Sequence, residues 1–149
     1  MVGFRELLPT VFNFNFMEEW KDIEGYEGIY QVSSEGRVKS LARVIEVTNI
    51  LFGSQIRHLK EKYMKPKVNS NNRLQVRLWK DGVKEQKQIH VIVAEAFIPN
   101  PNGYTVVHHK DHNPHNNKVD NLEWMAIEVH SSMHSTERDR DSLGRWVKK

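Results

Sequence analysis

The chain has 149 residues and a mass of 17.5 kDa, with 38% hydrophobic and 28% charged residues. This composition is typical of one folded domain, or of two very small ones that share a core. The absence of cysteine excludes disulfide scaffolds, cysteine-ligated zinc fingers, iron–sulfur clusters and thiol nucleophiles. No apolar run approaches the ~20 residues of a membrane-spanning helix, and we expect a cytoplasmic protein.

The charge is distributed unevenly along the chain. Residues 36–87 carry 13 lysines and arginines against 4 acidic residues, whereas residues 1–35 carry 2 against 7. A basic block of this size attracts phosphate backbones. A solvated surface with Lys and Arg on exposed strand faces would give the same count, so charge alone leaves nucleic-acid binding open.

The first part of the chain predicts a small antiparallel β element. Residues 1–16 show no clear periodicity and no motif, and we interpret them as an extension, with disorder as one interpretation. One hypothesis is that Met17 is the native start. Residues 29–32 are predicted to form a short strand, residues 33–36 a turn that ends in Gly, and residues 37–41 a return strand.

The middle of the chain is predicted to be strand-rich and to end in a helix. Residues 45–62 are weakly patterned, and we interpret them as an insertion or a connecting loop. In the run RLQVRLW at 73–79, apolar and polar residues alternate, which predicts a strand with one basic face. An Asp-Gly turn at 80–82 leads into a return strand at 83–89, and the apolar stretch at 90–97 predicts a buried helix.

The last part predicts strand, long loop, strand and helix, at 105–109, 110–120, 121–124 and about 127–138. Six of the eight histidines lie within 27 residues of this part, at His108, His109, His112, His115, His130 and His134. Such clustering in a cysteine-free chain indicates metal binding or proton transfer.

The spacing of these histidines suggests how they are used. His130 and His134 are four residues apart, so on a helix they share one face and can bind one metal ion. His108 would supply a third ligand from the strand and leave positions open for water and a phosphate oxygen. His109 can join the same site only if the strand ends or twists there. A metal-free imidazole with a pKa near 6.5 is suited to accept a proton from water.

The string VVHHKDHNPHNNKVDNLEW, followed by His130 and His134, resembles the HNH endonuclease motif in its ββα-metal form. Upstream, EEWKDIEGYEGIYQVSSEGRVKSL resembles the nuclease-associated modular domain of phage-encoded homing endonucleases. The resemblance implies an α+β protein, with a small antiparallel β element packed against a ββα-metal (His-Me finger) nuclease domain. We expect an extension (1–16), a nuclease-associated modular domain with a basic connecting segment (17–62), an HNH domain (63–138) and a charged tail (139–149).

The resemblance also implies roles for individual residues. His109 matches the general base, and His108 and His130 match metal-ligand positions, with His134 as a further ligand. Asn121 matches the central Asn, which tethers the loop and helps orient the base. The resemblance implies one divalent ion, with Mg²⁺ or Mn²⁺ favoured. Three imidazoles also suit Zn²⁺, Ni²⁺ or Co²⁺.

The expected partner is double-stranded DNA, cleaved on one or both strands by a monomer in the bacterial host of the phage that encodes it. The candidate contacts to the DNA backbone are Arg73 and Arg77 on one strand face, followed by Arg37, Lys39, Lys65 and Lys67. One alternative is a catalytically inactive, metal-stabilised DNA-binding module. Another is a structural zinc domain in a phage assembly protein.

Four polar residues near the motif are interpreted as structural or solvent-exposed. His90 begins the predicted buried helix, and Asn117 is interpreted as a turn former. His112 and His115 are interpreted as exposed loop residues, with DNA contact as the alternative.

Overall fold

The computed structural model describes the backbone of residues 17–136, 138–140 and 146–148, and the side chains of residues 17–133. The predicted extension at 1–16 lies outside the described residues. The strands of the first half are β1 (Trp20–Asp22), β2 (Tyr30–Ser33), β3 (Val38–Ser40), β4 (Arg43–Asn49), β5 (Gly53–Leu59), β6 (Lys62–Tyr63), β7 (Lys67–Val68) and β8 (Leu74–Lys80). The second half consists of β9 (Val83–Gln88), α1 (Ile89–Phe97), β10 (Val106–His109), a 3₁₀ helix (Val119–Asn121), β11 (Leu122–Met125), α2 (Ile127–Thr136), β12 (Arg138–Arg140) and β13 (Trp146–Lys148).

The amino-terminal sheet is antiparallel, with the strand order β1-β2-β3-β6. The predicted turn between β2 and β3 is confirmed, since the amide of Gly36 donates a hydrogen bond of 3.0 Å to the carbonyl of Ser33. Gly36 has a φ of +81°, in the left-handed region that glycine adopts without a steric cost. The turn is therefore tight, and it presents residues 34–36 to the rest of the molecule.

Strands β4 and β5 form a separate two-stranded hairpin in which Arg43 pairs with Leu59 and Asn49 with Gly53. The interpretation of residues 45–62 as a connecting loop is therefore wrong. The sequence does not reveal the hairpin because it buries little, and its apolar residues do not mark one core face. Val44 and Ile56 are 60% and 70% exposed.

Strands β7, β8 and β9 form the second antiparallel sheet. Val76 and Leu78 are buried while Arg77 is exposed, which confirms the predicted alternation along β8. The Asp-Gly turn is also confirmed, because Asp81 and Gly82 both have positive φ values, 51° and 78°. Paired positive φ values match the right-handed twist of a two-residue hairpin.

One hydrophobic core joins the amino-terminal sheet to the rest of the chain. Helix α1 lies at its centre and contacts strands from both parts, including β2, β8 and β11. The buried core side chains include Ile23, Val32, Val38, Val76, Leu78, Ile89, Ile92, Val93, Val107 and Leu122. Because the core is shared, the two parts stabilise each other's position.

Strands β10 and β11 pair in antiparallel fashion from Val106↔Met125 to His109↔Leu122, and α2 follows directly. Helix α2 packs against β10. This is the predicted ββα unit, and the α+β fold class is confirmed. Within the described part of the chain, no helix is long and apolar enough to cross a membrane.

Candidate active site

The end of β10 brings two adjacent histidines to one cleft. His108 and His109 are 4% and 5% exposed, and both line a cavity of about 230 Å³. Adjacent side chains on a regular strand point to opposite faces. Here the strand ends at His109, which is the condition for a shared site. The lining residues are Asn71, Asn72, Arg73, Val107, His108, His109, His112, Pro114 and His130.

Of the four histidines that line the cleft, His108, His112 and His130 have neighbouring rings. The ring centroid of His108 lies 5.1 Å from that of His112 and 5.7 Å from that of His130. His130 comes from α2, and His112 comes from the loop after β10, where its φ of +60° turns the chain back. The structure therefore brings the predicted ligands His108 and His130 together. His112 is exposed in the loop, as interpreted from the sequence, and its ring also lies beside that of His108.

The described residues contain no group of three His, Asp or Glu side chains already arranged to hold a metal ion. The side chain of the predicted third ligand, His134, lies outside the described residues. Of the three predicted metal ligands, the side chains of His108 and His130 are therefore the two that are described. Imidazole nitrogen is a suitable donor for the divalent ions of the first transition series.

His109 is held by Asn117. The distance between His109 Nε2 and Asn117 Oδ1 is 2.8 Å, and both side chains are buried. Because an amide oxygen only accepts, Nε2 must carry the proton and donate it, which leaves the lone pair on Nδ1. The amide nitrogen of Asn117 is buried without a hydrogen-bond partner in the structure. The site thus retains one unsatisfied polar group next to the imidazole.

The surroundings of His109 favour its neutral form. Burial lowers the pKa of the imidazole below its usual value, the hydrogen bond to Asn117 partly offsets this effect, and the positive charge of Arg73 lowers the pKa further. A neutral imidazole with a free lone pair can accept a proton near neutral pH.

Asn121 tethers the loop that follows β10. Its side-chain nitrogen donates to Asp111 Oδ1 at 2.9 Å and to the carbonyl of Asn116 at 2.8 Å. Its Oδ1 accepts the amide of Asp111 at 3.1 Å. The carboxyl of Asp111 is exposed and accepts several hydrogen bonds, which lower its pKa to about 2. The bond from Asn116 has the largest effect. The residue that contacts the imidazole of His109 is Asn117, which lies within the tethered loop.

Two further side chains, Arg73 and His90, lie next to His109. Arg73 Nη1 donates to His90 Nε2 at 3.1 Å, and the ring centroid of His90 lies 5.0 Å from that of His109. From the sequence, His90 was interpreted as structural. The available signal was its position in the otherwise apolar start of a buried helix, where an imidazole needs a partner.

The amino-terminal turn touches the loop that carries Asn117. The carbonyl of Ser34 accepts the amide of Val119 at 2.9 Å, and Lys118 forms an ion pair of 3.0 Å with Glu35. A Cβ atom on Gly36 would lie 2.9 Å from both the Cβ and the carbonyl oxygen of Asn117. Only glycine fits at this contact without displacing the neighbouring chain.

The predicted DNA contacts fall into two groups. Arg73 lines the cleft, and three others are exposed, at Arg77, Lys65 and Lys67. None of the ion pairs formed among the described residues includes these four side chains.

The other two candidates contact groups of the amino-terminal sheet. Arg37 pairs with Glu18, which raises the pKa of the guanidinium and lowers that of the carboxyl, and its Cζ lies 5.2 Å from the ring centroid of Tyr63. Lys39 lies 4.5 Å above the ring of Trp20 and 3.4 Å from Glu61. Both cations already have partners within the protein.

Two family models match the chain in the order expected from the resemblance. Residues 18–79 match the NUMOD4 motif, and residues 87–131 match the HNH endonuclease family. The second match contains His90, both histidines of β10, the tethered loop and His130. The chain therefore carries a segment that matches the HNH endonuclease family, preceded by a segment that matches the NUMOD4 motif.

Among individual proteins, the chain is similar to the DNA endonuclease I-HmuI of Bacillus phage SP01. The identity is 34% over 111 residues, which cover 74% of this chain and 54% of I-HmuI. An uncharacterized HNH endonuclease, L245, of Acanthamoeba polyphaga mimivirus is 44% identical over 63 residues, which cover 42% of this chain and 19% of L245. The chain thus spans about half the length of I-HmuI and a smaller share of L245.

The fold is similar to that of a solved structure that describes DNA binding and cleavage by the HNH homing endonuclease I-HmuI. The TM-score is 0.59 at 33% identity, covering 79% of this chain and 58% of that chain. HNH nucleases generally use a divalent metal ion. The paired imidazoles of His108 and His130 are compatible with such an ion.

Proposed function

We propose that this protein is an endonuclease that hydrolyses phosphodiester bonds in double-stranded DNA with one divalent metal ion. The observation that carries the proposal is the placement of His109. Its imidazole is fixed by Asn117 in a cleft that also holds His108, His130 and Arg73. The similarity to I-HmuI supports DNA as the substrate.

In this proposal His109 is the general base. Nε2 donates to Asn117, so Nδ1 is the atom that accepts a proton from the attacking water. The hydroxide attacks phosphorus, and the bond to the 3′ oxygen of the leaving strand breaks. The 3′ oxygen takes a proton from a solvent water molecule, and His109 later returns its own proton to solvent. A base of this kind contributes about 10²–10⁴ to the rate. The lowered pKa keeps His109 neutral and ready to accept the proton.

His108 and His130 would hold the metal ion, with His134 as the third ligand. When bound, the ion supplies positive charge that stabilises the attacked phosphate and the leaving 3′ oxygen. We propose Mg²⁺ or Mn²⁺ as the working ion. Zn²⁺, Ni²⁺ or Co²⁺ would bind more tightly, because imidazole is a softer ligand than water or carboxylate.

Arg73 would bind the phosphate at the cleft, and Arg77, Lys65 and Lys67 would contact the DNA backbone on either side. Free guanidinium and ammonium groups supply the sequence-independent part of DNA affinity. Arg37 and Lys39 would have to exchange Glu18 and Glu61 for phosphate. We therefore assign them a secondary place in binding.

The similarity to a phage endonuclease supports a phage-encoded protein that acts in the bacterial cytoplasm. A monomer would bring a single active site to the duplex, which favours nicking of one strand.

The test is a supercoiled-plasmid assay with metal-stripped protein, to which Mg²⁺, Mn²⁺, Zn²⁺ or Ni²⁺ is added singly. Open-circle product that requires metal supports a nicking nuclease, and linear product means that both strands are cut. If no ion gives cleavage although the plasmid is retarded on a gel, the protein is a DNA-binding module. Unfolding on chelation would favour a structural zinc domain instead, because a structural metal contributes folding energy.

A further inference from the structure

His90 has no assigned part in the chemistry, yet it lies beside the proposed base. It is the second residue of α1 and only 3% exposed, in a helix whose other buried residues are Ile89, Ile92, Val93 and Ala94. Its ring centroid is 5.0 Å from that of His109, at an interplanar angle of 45°. It therefore packs directly against the base from the protein interior.

The hydrogen bond to Arg73 fixes the protonation of His90. A guanidinium only donates, so His90 Nε2, at 3.1 Å from Arg73 Nη1, must accept, and the ring proton must sit on Nδ1. His90 Nδ1 is buried and has no hydrogen-bond partner in the structure. An unsatisfied buried donor is destabilising, and a side chain that only filled space would avoid it. The imidazole offsets this cost because its Nε2 accepts the hydrogen bond from Arg73.

The charge state agrees with this geometry. Burial lowers the pKa of His90 to about 3, and the positive charge of Arg73 acts in the same direction. The imidazole is thus a neutral acceptor at any pH at which the protein would act.

Arg73 is fixed at both ends. Its backbone amide donates to Asn69 Oδ1 at 3.0 Å, in the turn before β8, and its guanidinium donates to His90. Among the described residues no carboxylate forms an ion pair with it. The half-buried guanidinium lines the same cleft as His108, His109 and His130, with N–H groups to spare. A fixed, uncompensated guanidinium at such a place is suited to a phosphate oxygen.

We propose that His90 is a positioning residue for the nuclease reaction, which holds the Arg73 guanidinium beside His109 so that it can bind the phosphate under attack. This rests on the proposed function. The positioning of Arg73 can nevertheless be measured through DNA binding without metal. The role of His90 and the nuclease function can therefore fail separately.

The experiment compares wild type, His90→Phe, His90→Gln, Arg73→Ala and the double variant His90→Phe/Arg73→Ala. Phe keeps the ring that packs on His109 but has no acceptor, whereas Gln places an amide oxygen near the position of Nε2. Two quantities are measured for each variant. They are the affinity for a fluorescein-labelled DNA duplex in EDTA, and the single-turnover cleavage rate with Mg²⁺ or Mn²⁺. His58→Phe, on the exposed β4–β5 hairpin, is the matched control.

We expect His90→Phe and Arg73→Ala each to weaken duplex affinity about tenfold, as for loss of a charged hydrogen bond. Cleavage should fall about 10- to 100-fold, the usual effect of a residue that orients an active group. The double variant should be no worse than Arg73→Ala alone, because the two residues act through one contact. His90→Gln should recover most of both losses, and His58→Phe should change neither.

Two outcomes would overturn the proposal. In one, His90→Phe is as harmful in the Arg73→Ala background as in wild type. In the other, His90→Gln is as impaired as His90→Phe. If wild type binds the duplex but does not cleave it, the proposed nuclease function fails while the binding cycle still decides the role of His90.

A second measurement does not depend on whether His90→Phe folds. Nitrogen chemical shifts of the His90 ring should show the Nδ1–H tautomer in wild type. That preference should weaken in Arg73→Ala, which removes the donor to Nε2. An Nε2–H tautomer in wild type would contradict the proposal, because Nε2 could then not accept from Arg73.

Discussion

The contact between His109 and Asn117 decides which ring nitrogen of the proposed base is available. Replacing Asn117 with Ala removes the acceptor for Nε2 and allows the ring to turn or change tautomer. We expect Asn117→Ala to lower the cleavage rate about 10- to 100-fold, as is typical when the partner that orients an active histidine is removed. The measurement is the single-turnover rate on a plasmid substrate.

Two variants control that experiment. Asn113→Ala removes an exposed asparagine of the same loop, whose Oδ1 accepts the amide of His115, and should leave the rate within a few-fold of wild type. Asn117→Asp keeps an oxygen at the position of Oδ1 and should retain more activity than Asn117→Ala. Equal rates in Asn117→Ala and wild type would exclude Asn117 as the residue that orients the base.

At the residue scale, the sequence indicated the histidines but not what surrounds them. His108 and His109 stand out by motif, and His130 by its helical spacing. Asn117 and His90 become neighbours of His109 only when the loop closes and α1 packs behind β10. Those contacts depend on tertiary structure. A pattern of Asn residues in a polar loop is equally typical of turns.

At the scale of elements, the turn between β2 and β3 contacts the loop that carries Asn117 through Gly36. An Ala at this position would meet Asn117 at 2.9 Å and would also be strained at a φ of +81°. We expect Gly36→Ala to displace Asn117 and to lower cleavage about 10- to 100-fold, as small misplacements of active groups do. Stability should also fall, by more than the ~1–2 kcal/mol that the left-handed conformation alone costs.

The matched control is Gly28→Ala. Gly28 has a φ of +73°, but a Cβ there has nothing within 4 Å. The Gly28→Ala variant should lose the ~1–2 kcal/mol of stability that the left-handed conformation costs, and it should cleave at the wild-type rate. If Gly36→Ala and Gly28→Ala have the same cleavage rate and the same stability, the β2–β3 turn does not hold the loop that carries Asn117 in place.

Elements with a strong period or a sharp turn signal were predictable. The β8–β9 hairpin and the ββα unit are examples, and so is helix α1. The β4–β5 hairpin was not predictable, because none of its strand residues is buried in the core. Val44 and Ile56 face solvent, so the hydrophobic pattern from which a strand is recognised is absent there.

At the scale of the whole molecule, Lys67 and Arg77 of the basic block share one face of the sheet formed by β7, β8 and β9. Lys67 pairs opposite Gln75, two residues from Arg77 on the same face of β8. If this face follows the DNA backbone, Lys67→Ala/Arg77→Ala should weaken binding to all sequences alike. The slope of log affinity against log salt should decrease by about 0.9 for each phosphate that the variant no longer neutralises.

The control is Lys21→Ala, which removes the same kind of charge from β1, where Lys21 lies near Glu19 and Phe97. It should leave the salt slope unchanged. An unchanged slope in Lys67→Ala/Arg77→Ala would move the DNA-binding surface elsewhere.

The two parts of the molecule also meet at Tyr26, whose hydroxyl donates to Glu85 at 2.7 Å. The bond raises the pKa of Tyr26 to about 12 and lowers that of Glu85. The stabilisation should be fully present between the ordinary carboxyl value of 4.5 and the ordinary phenol value of 10.0. It should be lost as Glu85 is protonated at lower pH, and as Tyr26 ionises at higher pH.

Urea unfolding of wild type and Tyr26→Phe at several pH values measures this effect. The difference in stability should be largest near neutral pH and should shrink on both sides. Tyr30→Phe is the control, because the Tyr30 hydroxyl accepts the amide of Trp79 and no carboxylate takes part. A stability difference for Tyr26→Phe that does not depend on pH would contradict the account of this contact.

The central claim is that His109 is the general base of a metal-dependent nuclease. The most direct measurement is the rate of metal-dependent plasmid cleavage by His109→Ala, with metal affinity determined on the same samples. We predict a rate about 10²–10⁴ lower than wild type with metal binding nearly intact, because the base is removed while His108 and His130 remain. Wild-type cleavage by His109→Ala would contradict the claim and remove His109 as the base.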